Sequence, residues 1–265
     1  MNEKNFEYLR DQVKYTGFGD ALEGELRKKM QKEEPNFTLG HNTKYGNDIA
    51  TATLNFNKSK ESDMYFFNSY KVELQKENSK EALEQTFYIN KGSNITLKEA
   101  YNLMEGRSVN KDLTNKEGEL YNSWLQLNFK ETDTSGNFKL NQYHQNYGYD
   151  LEATLSKHPI KELENPKYKE DLINSMKKGN LQSATFLKDG NEIKQYIEAS
   201  PQFKTINIYD GNMQRIDNRH SKEEKQSENQ QTSAKQDSKK QNQNTDDDGP
   251  EVPKEAKKRR KSQSM

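Results

Sequence analysis

Apolar residues recur at helical spacing at the start of the chain and at alternating spacing soon after it. Phe6, Leu9 and Val13 fall on one face of a helix; after Gly17-Phe18-Gly19, Leu22, Leu26 and Met30 recur on a second. Asp20 with Glu23 predicts a capping pair for that second helix, and Pro35 closes the region. Alternation then predicts strands. Ala50, Ala52, Leu54 and Phe56 point one way, residues 64–74 are rich in Tyr, Phe and Val, and a third strand spans 85–90.

A well-signalled helix follows. Thr96 and Glu99 form a capping box, Ile95 and Ala100 a hydrophobic staple, and Gly106 supplies the left-handed position beyond the end. Strands at 109–113 and 121–129 join through Lys116-Glu117-Gly118, and 138–145 is another. Asp150 opens a short helix to Lys157. Asn165-Pro166 opens a longer one, with proline at the first helical position and Gly179 as terminator. Strands at 181–187, 193–199 and 204–209 complete the pattern.

The chain resembles itself when shifted by 73 residues. Leu54-Asn55-Phe56 then falls on Leu127-Asn128-Phe129, Phe67-Asn68-Ser69-Tyr70 on Leu140-Asn141-Gln142-Tyr143, and Gly106 on Gly179. With one deletion, Lys116-Glu117-Gly118 meets Lys188-Asp189-Gly190, and Ile206-Asn207-Ile208-Tyr209 repeats the Asn-x-Tyr pattern a third time. The expectation is an α+β fold: an N-terminal helical pair, two tandem antiparallel-sheet-plus-helix modules with an internal repeat of about 73 residues, and a disordered C-terminal tail. The expected bounds are 1–35 for the helical pair, 36–122 and 123–217 for the modules, and 218–265 for the tail. In each copy Asn and Tyr sit two apart and project from one strand face. That face reads either as a recognition surface or, preferably, as a structural pair with Tyr packed and Asn satisfying a strand edge.

Composition sharpens the boundary. Only 29% of the 265 residues are hydrophobic and 32% are charged, yet all 26 aromatic residues lie at or before Tyr209. Residues 221–265 hold four hydrophobic side chains, too few to offset the entropy of ordering that segment. The 42 basic and 42 acidic residues balance, which removes the electrostatic case for a strongly nucleic-acid-binding or membrane-bound chain. Charge divides at the same boundary, −2 before residue 221 and +2 after it. Within the tail, Lys257, Lys258, Arg259, Arg260 and Lys261 form the one run suited to phosphate contacts. No secretory leader pattern and no apolar stretch long enough to span a bilayer are present, so a cytoplasmic protein with no membrane contact is expected.

Candidate chemistry is sparse. With no cysteine there are no disulfides, thiolate metal sites or Cys nucleophiles. His41, His144, His158 and His220 lack metal-ligand spacing, and no nucleophile elbow, phosphate loop or dinucleotide fingerprint occurs, so neither metal nor cofactor is expected. Glu131, Asp133, Ser135, Gly136 and Phe138 approach a calcium-loop pattern, but Gln142 stands where a bidentate carboxylate is required; a hairpin connection is the better reading. The dense aromatic stretch at 143–149 leaves His144 and Tyr149 as surface candidates, and Arg107 with Lys111 makes a modest basic strand.

Three stretches resemble a family of uncharacterised proteins carried by conjugative and other mobile elements of Bacteroidales bacteria. They are Phe6-Glu7-Tyr8-Leu9-Arg10-Asp11-Gln12-Val13-Lys14-Tyr15-Thr16-Gly17-Phe18-Gly19, Ile95-Thr96-Leu97-Lys98-Glu99-Ala100-Tyr101-Asn102-Leu103 running into Glu105-Gly106-Arg107-Ser108-Val109-Asn110-Lys111, and Pro201-Gln202-Phe203-Lys204-Thr205-Ile206-Asn207-Ile208-Tyr209-Asp210. The resemblance implies the company of DNA-transfer proteins and no particular chemistry. The expected function is a non-enzymatic accessory or adaptor of a mobile genetic element that binds an unidentified protein partner or nucleic acid, the latter through the basic tail. The alternatives are an enzyme with a site between the two modules, or an inhibitor of a host protein.

Overall fold

The structure, a computed structural model, describes residues 1–90 and 94–216. The tail and its basic run Lys257–Lys261 lie outside the described residues, as does His220. Helices α1 (Glu3–Val13) and α2 (Glu23–Gln31) open the chain, joined by a wide turn at Lys14–Phe18 in which Gly17 takes φ 101°. Strands β1 (Asn36–Tyr45), β2 (Asp48–Lys58), β3 (Tyr65–Gln75) and β4 (Leu83–Tyr88) follow as an antiparallel meander. After α3 (Leu97–Met104) comes a second meander of β5 (Val109–Thr114), β6 (Leu120–Thr132) and β7 (Phe138–His144). Then α4 (Leu151–Leu155) and α5 (Pro166–Lys177) lead to a third meander of β8 (Gln182–Lys188), β9 (Asn191–Ser200) and β10 (Thr205–Tyr209).

The mixed α+β class follows directly from the sequence pattern, and most boundaries fall within two residues of it. Two details differ. β1 was not among the expected strands, because only Phe37 and Leu39 of it are buried and its second half runs along the surface. The Asp20–Glu23 cap does not form: Asp20 pairs with the Lys14 ammonium at 3.0 Å, and α2 starts from Leu22 without a side-chain cap.

Two apolar cores share the middle sheet. Phe6 and Leu9 of α1, Leu26 and Met30 of α2, and Leu97, Ala100 and Leu103 of α3 pack on the inner face of sheet β1–β4, where Leu54, Phe56, Tyr70 and Val72 are fully buried. Burying each such side chain contributes about 1.5–3 kcal/mol. Successive residues of a strand face opposite ways, and β6 uses this: Leu125 and Leu127 enter the first core while Trp124 enters the second. The second core adds Leu155, Leu172, Met176, Ala184 and Ile197 from α4, α5, β8 and β9. The division anticipated at 122/123 therefore falls inside β6, which bonds to both its neighbours.

The 73-residue interval reappears as element spacing. β1, β5 and β8 begin at Asn36, Val109 and Gln182, and the left-handed residues that precede them are Glu33, Gly106 and Gly179. What repeats is a helix followed by a meander, seen three times; duplication of one module does not follow from spacing alone. The Asn-x-Tyr motifs also take different roles. The Tyr70 hydroxyl donates to the Ile95 carbonyl from within the first core, Tyr143 is half-buried beside Tyr147, and Tyr209 and Asn207 both donate to Glu198 Oε1.

Candidate functional site

Strand edges locate the most distinctive feature. In an antiparallel ladder, alternate residues turn their N–H and C=O groups away from the partner. Among the described residues, β4 is bonded only to β3, and β7 only to β6, so each has an edge outside any described ladder. These two edges face each other. At one end they are tied by side chains. Gln85 Oε1 accepts from the Phe138 N–H at 2.8 Å, its Nε2 donates to the Phe138 carbonyl at 3.3 Å, and Asn137 Oδ1 accepts from the Thr86 N–H at 2.8 Å. The Thr86 and Phe138 amides thus point outward, and by alternation so do those of Tyr88, Leu140 and Gln142.

Beyond the tie the two edges border a slot of about 520 Å³. Thr86, Phe87 and Tyr88 form one wall, Leu140 and Gln142 the other, and Ile95, Leu113, Tyr121 and Leu125 the floor and end. Among the described residues, the lining contains no Asp, Glu, Lys, Arg or His. Tyr88 is 61% exposed and Leu140 40%, large apolar side chains left open at the two edges. The third sheet shows the contrast. The outer edge of β8 is bridged by Ile160 to Phe186, with the Leu187 N–H donating to the Pro159 carbonyl, and β10 is covered by Arg215 and Ile216.

The residues singled out from sequence are dispersed. His144 lies exposed at the end of β7, with its ring 5.3 Å from Tyr121, at the rim of an open cleft adjoining the slot. Tyr149 is held inside: its ring meets Trp124 edge-on at 5.4 Å, its hydroxyl donates to the Thr205 carbonyl, and burial raises its pKa well above the usual tyrosine value. Arg107 and Lys111 are bound to the protein itself. The Arg107 Nε donates to the Gly179 carbonyl at 3.0 Å and its Nη2 to Asn102 Oδ1 at 2.8 Å; the Lys111 ammonium sits 3.0 Å from Glu99 Oε2, and that carboxylate is only 8% exposed. Arg107 and Lys111 therefore form no shared basic surface.

Asn102 was not visible as important in the sequence. Fully buried in α3, it donates to the Lys178 carbonyl at 2.7 Å and to Asn180 Oδ1 at 2.9 Å. Together Asn102 and Arg107 satisfy carbonyls at the C-terminal end of α5, where unpaired C=O groups and the helix dipole favour donors and cations. This clamp joins the ends of α3 and α5. The calcium-like loop is a hairpin turn: Asp133 Oδ1 accepts from the Asn137 and Ser135 amides, bonds that hold its pKa below the ordinary aspartate value. Among the described residues no cluster of three or more His, Asp or Glu is placed to hold a metal ion.

No protein-family model, curated protein or solved structure matches the chain. The chemistry of the slot rests on its own geometry: main-chain donors and acceptors along two facing edges, amide side chains of Asn90, Asn94, Asn115 and Gln142 around them, and an apolar floor. Such a site can hydrogen-bond an extended backbone and hold its alternate side chains. Among its described residues it presents no charged group to do acid–base work.

Proposed function

We propose that this chain is a non-enzymatic adaptor that takes an extended segment of a protein partner into the slot between β4 and β7. The observation that carries the reading is the pair of unpaired strand edges facing each other across an uncharged cleft. A strand added to an open edge gains main-chain hydrogen bonds, and pockets for its alternate residues give selectivity. Native folds usually cover or charge an edge of this kind, as sheet β8–β10 does here. A slot whose described lining carries no charge favours a peptide over a nucleic acid, whose binding is dominated by cationic contacts to phosphate. Service to a mobile element is part of the same proposal and rests on the three resembling stretches of sequence.

Selection of random peptides displayed against the full chain tests it. Leu140→Pro removes one outward N–H without touching the β6 ladder, a substitution edge strands tolerate. Leu140→Lys instead places charge on the edge. Enrichment of uncharged, alternating peptides that bind Leu140→Pro and Leu140→Lys roughly tenfold or more weakly is the expected result, the equivalent of about 1.4 kcal/mol. Their affinity should change little with salt. Failure to enrich any peptide, or equal binding by both variants, overturns the proposal.

A further inference from the structure

A second cleft, away from the slot, has the opposite character. Lys44 at the end of β1, Lys98 in the first turn of α3 and Arg107 just beyond α3 converge on an open cavity of about 550 Å³, with Asn180 and Gln182 on its far side. Among the described residues its lining holds three cations and no carboxylate. Elsewhere on this molecule most partly covered cations have an acid beside them, as Lys58 has Asp63, Lys71 has Glu84 and Lys111 has Glu99. Neither Lys44 nor Lys98 makes an ion pair with any described residue.

Lys98 is placed rather than free to roam. Its ammonium lies 4.3 Å from the centroid of the Tyr45 ring and 4.6 Å from that of Tyr101, and those rings stack on each other at 4.3 Å. Partial desolvation, with the neighbouring Arg107 guanidinium, lowers its pKa against the opposing pull of the Glu105 carboxylate. The nearest acids already have partners, Arg107 of the cleft among them. Asp48 accepts from the Tyr101 hydroxyl and the Glu77 N–H, and Glu105 lies 2.7 Å from the Lys76 ammonium and 3.7 Å from Arg107.

We propose that this cleft binds a small phosphomonoester, with the phosphate held by the ammonium groups of Lys44 and Lys98 against the Arg107 guanidinium, and Asn180 and Gln182 offering amide donors at the rim. A doubly charged phosphate suits three converging cations, and charge-assisted hydrogen bonds are the strong class of such contacts. The proposal is independent of the peptide slot, with which this cleft shares no lining residue.

Calorimetric titration of the full chain with inorganic phosphate and, separately, with adenosine 5′-monophosphate tests it. Tighter binding of the nucleotide assigns an esterified ligand; equal binding assigns the phosphate group alone. Saturable binding of either probe is expected, weakened roughly tenfold or more in Lys98→Gln and in Lys44→Gln and unchanged in Lys139→Gln, a surface lysine paired with Glu131. Thermal unfolding of each variant separates loss of the site from loss of the fold, and the exposed Lys44 serves if Lys98→Gln proves unstable. Absence of saturable binding by both probes, or binding that persists undiminished in Lys44→Gln and Lys98→Gln, overturns it.

Discussion

Gly179 carries two constraints at once. Its φ of 76° is a left-handed conformation that side chains resist, and a Cβ there would lie 2.9 Å from Val109 Cγ2 and 3.0 Å from both Asn102 Cβ and the Ser108 carbonyl oxygen. Gly190 has a similar φ of 77° and open space around it. Gly190→Ala should therefore destabilise by about 1 kcal/mol. Gly179→Ala should lose about 2–4 kcal/mol, because overpacking against backbone adds to the conformational penalty. Urea unfolding of the two variants checks the difference; equal losses would mean that the α3–α5 junction yields freely. The terminator role of Gly179 is legible from its place after a helical pattern, but its close approach to α3 is not. The same division runs through the other residues. The Thr96–Glu99 capping box is complete within four positions and forms as the spacing predicts, with the Glu99 carboxylate accepting from the Thr96 N–H at 2.8 Å. Arg107 is legible as basic, but its partner, the Gly179 carbonyl, is 72 residues away.

At the scale of elements, periodicity identifies strands that bury a face and says little about those that do not. β1 escapes because its inward positions after Leu39 are His41, Thr43 and Tyr45, only half-buried, and the slot escapes because an unpaired edge is a relation between two strands rather than a property of either. Gln85 is the element-scale residue that tests this geometry. Buried on β4, it makes both main-chain hydrogen bonds to Phe138. Gln85→Ala leaves the Phe138 N–H without that acceptor and should destabilise the chain by about 1–3 kcal/mol. Gln142→Ala, farther along the exposed β7 edge, should stay within about 0.5 kcal/mol of the parent. Denaturant midpoints measured at unchanged slope distinguish the two. Comparable effects would show that the tie at Phe138 is not what holds β4 against β7.

Over the whole molecule, the described residues form two apolar cores on either side of one shared sheet, with the α3–α5 clamp at their junction. The two clefts then differ in kind: a neutral slot where two sheets part, and a cationic recess beside the clamp. The low overall hydrophobicity fits this build, since three thin meanders leave much strand surface polar while α3 is nearly enclosed. The central claim is that the β4 and β7 edges are open. Amide hydrogen exchange in the free chain measures it directly. Tyr88, Leu140 and Gln142 should exchange rapidly while their strand neighbours Phe87 and Asn141, which face β3 and β6, are protected by orders of magnitude more. A selected peptide should then slow the first three. Strong protection of Tyr88, Leu140 and Gln142 in the free chain would contradict the account.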